Sequence, residues 1–211
     1  MTVRVMLVSP AMNAALREAR FDGDAPLDRA GERSARAAAA AVPRSGAVLS
    51  GPSERCLGTA AALGLTARAE PALTGWDLGR WSGRRLDEVG AAEPAAVAAW
   101  IGDPSAAPHG GESLQALVKR AGDWLDGTGG GDTLGAGDRQ GAGDAPDVRG
   151  RSVLAVAEPA VVRAGVVHAL ALPVEAFWRL DVAPLVLTEL SGRSGRWNVR
   201  LGRPLAAPEG P

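Results

Sequence analysis

Three short apolar runs, Val3–Val8, Ala47–Ser50 and Arg151–Ala157, each lead into a segment of helical pattern, and this alternation limits the chain more than any other feature. A run such as VRVMLV, rich in β-branched residues and ended by Ser-Pro, reads as a strand buried on both faces. Strands of that kind lie side by side where crossover helices cover both faces of the sheet. The helical segments are Asp28–Val42, alanine-rich and stopped by Pro43; the stretch from Pro52 or Ser53 to Gly64; Pro94–Ile101; Leu114–Leu125; and Val161–Ala171. Ser53 suits a helix start and Gly64 a helix stop, and Glu112 or Ser113 can cap the helix that follows Gly110-Gly111. Leu185–Leu190 and Arg196–Leu201 flank a turn-forming SGRSG and predict a terminal hairpin. The expected fold is α/β, a three-layer α/β/α sandwich with a mainly parallel central sheet.

With 211 residues, 46% hydrophobic and 22% charged, the chain suits one domain, expected over 1–205. Gly127–Gly150 interrupts it with Gly, Asp and Ala and almost no apolar bulk, so a disordered insertion is expected there; its glycines fit no phosphate-binding loop. A net charge of -1 gives no global attraction to nucleic acid or to an anionic membrane. No apolar run approaches the roughly 20 residues of a membrane span, and the first residues lack the apolar core of a secretory signal, so a cytoplasmic protein is expected. Cys56 is the single cysteine and excludes an internal disulfide. The heavy use of Arg, Ala and Gly points to a bacterial genome of high GC content.

Four blocks then occur in order. Val8-Ser9-Pro10-Ala11 ends the first strand and is followed by Arg20-Phe21-Asp22-Gly23-Asp24 and Ala25-Pro26-Leu27. Gly51-Pro52-Ser53-Glu54-Arg55-Cys56-Leu57-Gly58-Thr59-Ala60 opens the helix after the second strand; Asp77-Leu78-Gly79-Arg80-Trp81-Ser82-Gly83 and Gly110-Gly111-Glu112-Ser113 come later. In this arrangement the chain resembles the histidine phosphatase superfamily, in particular its phosphoglycerate-mutase-like and alpha-ribazole-phosphatase-like members. The resemblance implies phosphoryl transfer by a nucleophilic histidine, with a second histidine and arginines around the phosphoryl oxygens and a carboxylic acid to protonate the leaving oxygen.

Carried over residue by residue, the resemblance breaks down at the chemistry. Ser9-Pro10-Ala11 stands where the family has Arg-His-Gly, and proline has no nucleophile and no backbone N–H. The acid falls on Thr74 or Gly75, and the second histidine on Glu158. Arg55 falls on a phosphate-binding arginine. A carboxylate about 4 Å from a phosphate opposes it by on the order of 1 kcal/mol in water and about 4 kcal/mol at an effective dielectric of 20. An ion pair between Arg55 and Glu158 across the pocket is therefore expected.

The candidate pocket residues are Ser9, Asn13, Arg20, Arg55, Trp76, His109 and Glu158. Arg55 reads equally as an anion ligand or as a structural partner of Glu158, and Glu158 as that partner before it reads as a general base. Cys56 is a small buried residue in preference to a thiolate activated by Arg55. His109 precedes the Gly-Gly-Glu-Ser block and is a loop residue before it is an acid–base group; His168 lies on the helix after Glu158 and reads as a packing residue, and Arg163 on the same helix reads as a surface or capping arginine before it reads as one that reaches the pocket. Six tryptophans against two phenylalanines and no tyrosine are read mostly as core or interface anchors, with Trp76 and Trp81 nearest the lost acid. No metal or organic cofactor is implied. Two functions stay open: a degenerate, non-catalytic member that binds a small molecule or a protein, a second copy included; or an enzyme of remodelled chemistry, a hydrolase, isomerase or lyase with Glu158 as base and Arg55 as anion stabiliser.

Overall fold

The computed structural model describes residues 2–21, 23–129 and 152–205. Six strands, β1 (Val3–Val8), β2 (Ala47–Ser50), β3 (Arg68–Ala69), β4 (Ser152–Val156), β5 (Val186–Arg193) and β6 (Arg196–Pro204), form one sheet in the order β3-β2-β4-β1-β5-β6. β1 pairs parallel with β4, β4 with β2, and β2 with β3, whereas β5 and β6 are antiparallel additions at one side. The sheet is thus mixed, with a parallel half that carries the crossover helices and an antiparallel half closed by the hairpin at Ser194-Gly195, where Gly195 takes φ 73°.

Side-chain alternation along the strands builds two apolar layers. Val3, Val5 and Leu7 of β1 and Val153 and Ala155 of β4 pack against Leu114, Leu117, Ala121 and Leu125 of α6 (Leu114–Gly129) and Val162 and Val167 of α7 (Pro159–Ala169). Met6, Val8, Leu154 and Val156 point the other way, onto Ala35 and Ala38 of α2 (Arg29–Ala38), Cys56 and Ala60 of α3 (Glu54–Ala62) and Leu63 just after it. Helices therefore cover both faces. A third cluster, around Trp81, Val89 and Trp100, lies outside these layers on α4 (Leu86–Ala92), α5 (Pro94–Gly102) and the preceding 3-10 turn at Gly79–Trp81.

Local chemistry sets the helix starts. Asp28 caps α2 by accepting from Gly31 N (2.8 Å), Ser53 caps α3 by accepting from Cys56 N (3.2 Å), and Asn13 caps the four-residue α1 (Ala14–Arg17). Several boundaries differ from the sequence reading. α2 gives way to a 3-10 turn at Ala39–Ala41, and α7 begins at Pro159, whose fixed φ suits a first helical position. α6 continues to Gly129, so the first three residues of the expected insertion are helical; 130–150 lie outside the described residues.

One polar cluster ties α6, α7 and β6 together. Asp126 on α6 accepts from Trp197 Nε1 of β6 (3.0 Å) and from His168 Nε2 of α7 (3.0 Å), so His168 is a bonded staple where the sequence suggested plain packing. A Cβ at Gly122 would lie 2.2 Å from His168 Nδ1, which is why that helix position is glycine. Burial pushes the Asp126 carboxyl up, but the bonds from Trp197 and His168 outweigh it and hold it below the ordinary aspartate range. A depressed carboxyl contributes stability above its unfolded pKa of about 3.9 and loses it as pH falls through the folded value. Asp126→Ala is expected to cost about 1–2 kcal/mol at pH 7, with its urea midpoint converging on wild type below about pH 4.

Candidate functional site

The parallel strands β1, β4 and β2 end side by side, and their last residues run into the loops at Ser9-Pro10, Glu158-Pro159 and Gly51-Pro52. A crevice outside the carboxyl ends of such strands is where open α/β sheets hold ligands. Here it is a cavity of about 940 Å³, lined by those loops, the segment 74–78, α1, the third apolar cluster and the turn at Phe177-Trp178.

At its floor Arg55, 1% exposed, meets Glu158, with Nη2 to Oε2 at 2.5 Å. The other carboxylate oxygen of Glu158 accepts from Ser53 Oγ (2.9 Å) and from the Cys56 thiol (3.4 Å). α3 supplies all three partners in its first turn, and β4 delivers Glu158 at the N-terminus of α7. The expected ion pair is thus present in direct contact. Burial and then the charge of Glu158 push the Cys56 thiol well up, more than the bond to Ser53 and the charge of Arg55 bring it down. Cys56 is therefore a thiol donor and not a thiolate.

The loop after β1 is fixed from outside the cavity. Ser9 Oγ donates to Ala183 O and accepts from Val186 N (3.1 Å), and Ala11 N donates to Thr59 Oγ1 (3.1 Å). Pro10 lines the cavity, but the Ser9 side chain does not. Asn13, likewise buried, caps α1 through Oδ1 and donates Nδ2 to Ala25 O (3.0 Å), so it too faces backbone and not the cavity. His109 is outside the lining as well. Its Nδ1 accepts from Gly111 N (3.1 Å) and its ring packs 5.1 Å from that of Trp81. Those three expectations are corrected: backbone groups distant in sequence take the Ser9 hydroxyl, Leu16 N and Ala25 O take the Asn13 amide, and His109 turns Nδ1 to Gly111 N while its Nε2 is buried without a partner.

Burial holds the His109 imidazole below the usual histidine range, with Asp77 opposing and Arg80 assisting. A depressed histidine favours the native state in its neutral form, so stability falls as pH drops below the unfolded value of about 6.5. His109→Phe is expected to flatten the thermal-midpoint profile between about pH 5 and 7; an unchanged slope would refute the assignment.

Arg20, Arg55, Trp76 and Glu158 do converge on the cavity, as do Gly75 and Thr74. A Cβ on Gly75 would come 3.3 Å from Glu158 Cγ, so Gly75 and Glu158 occupy adjoining ground. The 72–75 loop is held by Arg120, a residue with no signal in the sequence: it binds Glu112 through Nε and Nη2 (2.9 and 2.7 Å) and donates Nη1 to Ala72 O and Thr74 O, both at 2.8 Å. Glu112 O in turn accepts from Trp76 Nε1 (2.8 Å), which gives the Gly-Gly-Glu-Ser block a positioning role. Arg163, read from sequence as a surface position, lines the cavity half-buried, with its guanidinium carbon 5.4 Å from the centre of the Phe177 ring. Trp76 and Trp100 and the adjacent Phe177 and Trp178 form one aromatic wall, with neighbouring rings 4.7–5.9 Å apart.

Neither histidine of the chain lines this cavity, and no group of three or more His, Cys, Asp or Glu among the described residues is placed to hold a metal ion. Among the described residues no helix is long and apolar enough to cross a membrane.

Comparison with known proteins gives a consistent result. A sequence model of the histidine phosphatase superfamily, branch 1, matches residues 11–203. The structure of mycobacterial glucosyl-3-phosphoglycerate phosphatase is similar at 26% identity and TM-score 0.77, over 97% of this chain and 100% of that one. A protein described as mycobacterial hydrolase 1 is similar at 26% identity and TM-score 0.80, over 98% of this chain and all of its own. A phosphoserine phosphatase of Entamoeba histolytica, at 13% identity and TM-score 0.79 over 96% of this chain and 98% of that one, shares the fold. No curated protein matches the sequence.

Proposed function

This chain belongs to the histidine phosphatase superfamily, branch 1, and from that premise we propose that it is a catalytically degenerate member, a pseudophosphatase that binds a ligand or partner in the family cavity without phosphoryl transfer. The observation that carries this reading is the closed pair of Arg55 and Glu158 at the cavity floor. A carboxylate there matches the guanidinium that would otherwise hold a phosphoryl group, and it adds a negative charge where a dianion would sit. Pro10 supplies no nucleophile, Thr74 and Gly75 no acid, and Cys56 stays protonated, so the steps of attack, neutralisation and leaving-group protonation all lack their groups.

The cavity itself favours a second reading, an enzyme of different chemistry with Glu158 as base. Against it stands the occupancy of that carboxylate by Arg55, Ser53 and Cys56, all of which donate to it. The deciding experiment is hydrolysis of a phosphate-ester panel by purified protein, with Arg55→Ala and Glu158→Ala alongside. The panel includes glucosyl-3-phosphoglycerate, the substrate in the name of the similar mycobacterial phosphatase. Turnover no higher than in the two variants is expected; turnover that both variants abolish refutes the pseudophosphatase.

A further inference from the structure

The cavity holds three arginines, and two of them are committed to neighbours. Arg20 binds Glu18 (2.8 Å) and Gly83 O (3.2 Å), and Arg55 binds Glu158. Arg163 makes no hydrogen bond and no ion pair among the described residues. Its Nε is shut off from solvent without an acceptor, and the guanidinium lies over the Phe177 face. Trp100 Nε1 and Trp178 Nε1, on the wall of the same cavity, are also buried without an acceptor. Buried donors in native proteins are almost always matched, and an unmatched one is costly. Arg163 is the member of this set that can take a ligand's acceptor, since it lines the cavity and its terminal nitrogens, unlike Nε, are not shut off.

The rest of the cavity limits what that ligand is. Half-buried Trp76 and Trp178 offer flat apolar surface, backed by the buried rings of Trp100 and Phe177, with Leu16 and Val182 beside them. Glu158, Asp24 and Asp77 line the same space, so a second negative charge on the ligand would be opposed. A guanidinium matches a carboxylate in a planar two-bond arrangement and stays charged in an apolar setting. We infer that the cavity binds an organic monocarboxylate with a flat aromatic or fused-ring body, its carboxylate on Arg163 and its rings among Trp76, Trp100, Phe177 and Trp178. This rests on the reading of a cavity that binds without phosphoryl transfer, and it names the ligand class. Arg163 is then the specificity-determining residue for the acid group.

Titration calorimetry with 2-naphthoate, its neutral relative 2-naphthamide and inorganic phosphate tests it on wild type, Arg163→Gln and Arg163→Lys. The acid is expected to bind wild type at least about 10-fold more tightly than the amide, as a charge-assisted bond in a partly buried site implies. Arg163→Gln should weaken the acid by about 10- to 100-fold and leave the amide unchanged, with Arg163→Lys between. Equal affinity for acid and amide, no binding of either, an acid affinity indifferent to Arg163→Gln, or phosphate bound more tightly than the acid would each overturn the inference. If Arg163→Gln fails to fold, the acid–amide comparison on wild type and the lysine variant decide. No phosphate ester is present, so turnover in the ester panel would remove the pseudophosphatase while leaving the naphthoate result to stand or fall separately.

Discussion

Glu158→Ala is expected to lower the stability of the protein by about 3–5 kcal/mol, the usual cost of removing one partner of a buried ion pair. For a chain of this size that is a fall in melting temperature on the order of 10 °C. The loss is large because the cation that remains, Arg55, is only 1% exposed and was facing the lost carboxylate at 2.5 Å. Ser53 and the Cys56 thiol lose an acceptor in the same step. Two further outcomes separate this account from a simple loss of packing. Arg55→Ala with Glu158→Ala should cost clearly less than the sum of the single changes, since the second removes the charge that the first stranded. Inorganic phosphate should also stabilise Glu158→Ala more than wild type, because the variant lacks the carboxylate that competes with an anion at Arg55; at 100 times the dissociation constant that is about 2.7 kcal/mol. Additive losses with no response to phosphate would show that the pair does not govern the site.

That pair was legible in the sequence because the resemblance aligned Arg55 with a phosphate-binding arginine and Glu158 with the second histidine, two positions that share one pocket. The same logic placed Pro10 and Gly75 on the cavity. What was not legible depends on partners far along the chain. Nothing near Ser9 indicates that its hydroxyl is taken by Ala183 and Val186, which arrive with the antiparallel half of the sheet. Arg163 sits five residues beyond Glu158 on a helix with buried residues on several sides, so periodicity alone leaves its direction open. Its exposure to the cavity follows from the Phe177-Trp178 turn that packs over it. The aromatic wall likewise gathers from three separate segments, each with one or two rings, and becomes a cluster only after folding. The short β3, α1 and α4 escaped notice because two to seven residues carry too little pattern to read.

The second large effect concerns what holds that wall. Trp81 is 0% exposed, stacks on Phe21 at 5.7 Å, meets Trp100 edge-on at 5.6 Å and donates its indole N–H to Glu93 (3.3 Å). Trp81→Ala is expected to cost about 3–5 kcal/mol, as truncation of a fully buried indole does when the surroundings collapse only in part. The effect should reach the cavity, because Phe21 and Trp100 line it directly while Trp81 does not. Naphthoate affinity should therefore fall together with stability, although Trp81 touches no ligand, whereas Trp81→Phe should keep most of both. Glu93 gives an internal control. Arg80 and Arg84 also bind this carboxylate, and the bond from Arg80, ahead of those from Trp81 and Arg84, holds its pKa down against desolvation, so the acid end of this contact persists when the indole is gone. The loss in Trp81→Ala should then be nearly independent of pH between about 5 and 8, the mark of lost packing and not of lost charge. A cost under about 1 kcal/mol, or unchanged naphthoate binding, would mean that the third cluster is an appendage and that the cavity wall stands without it.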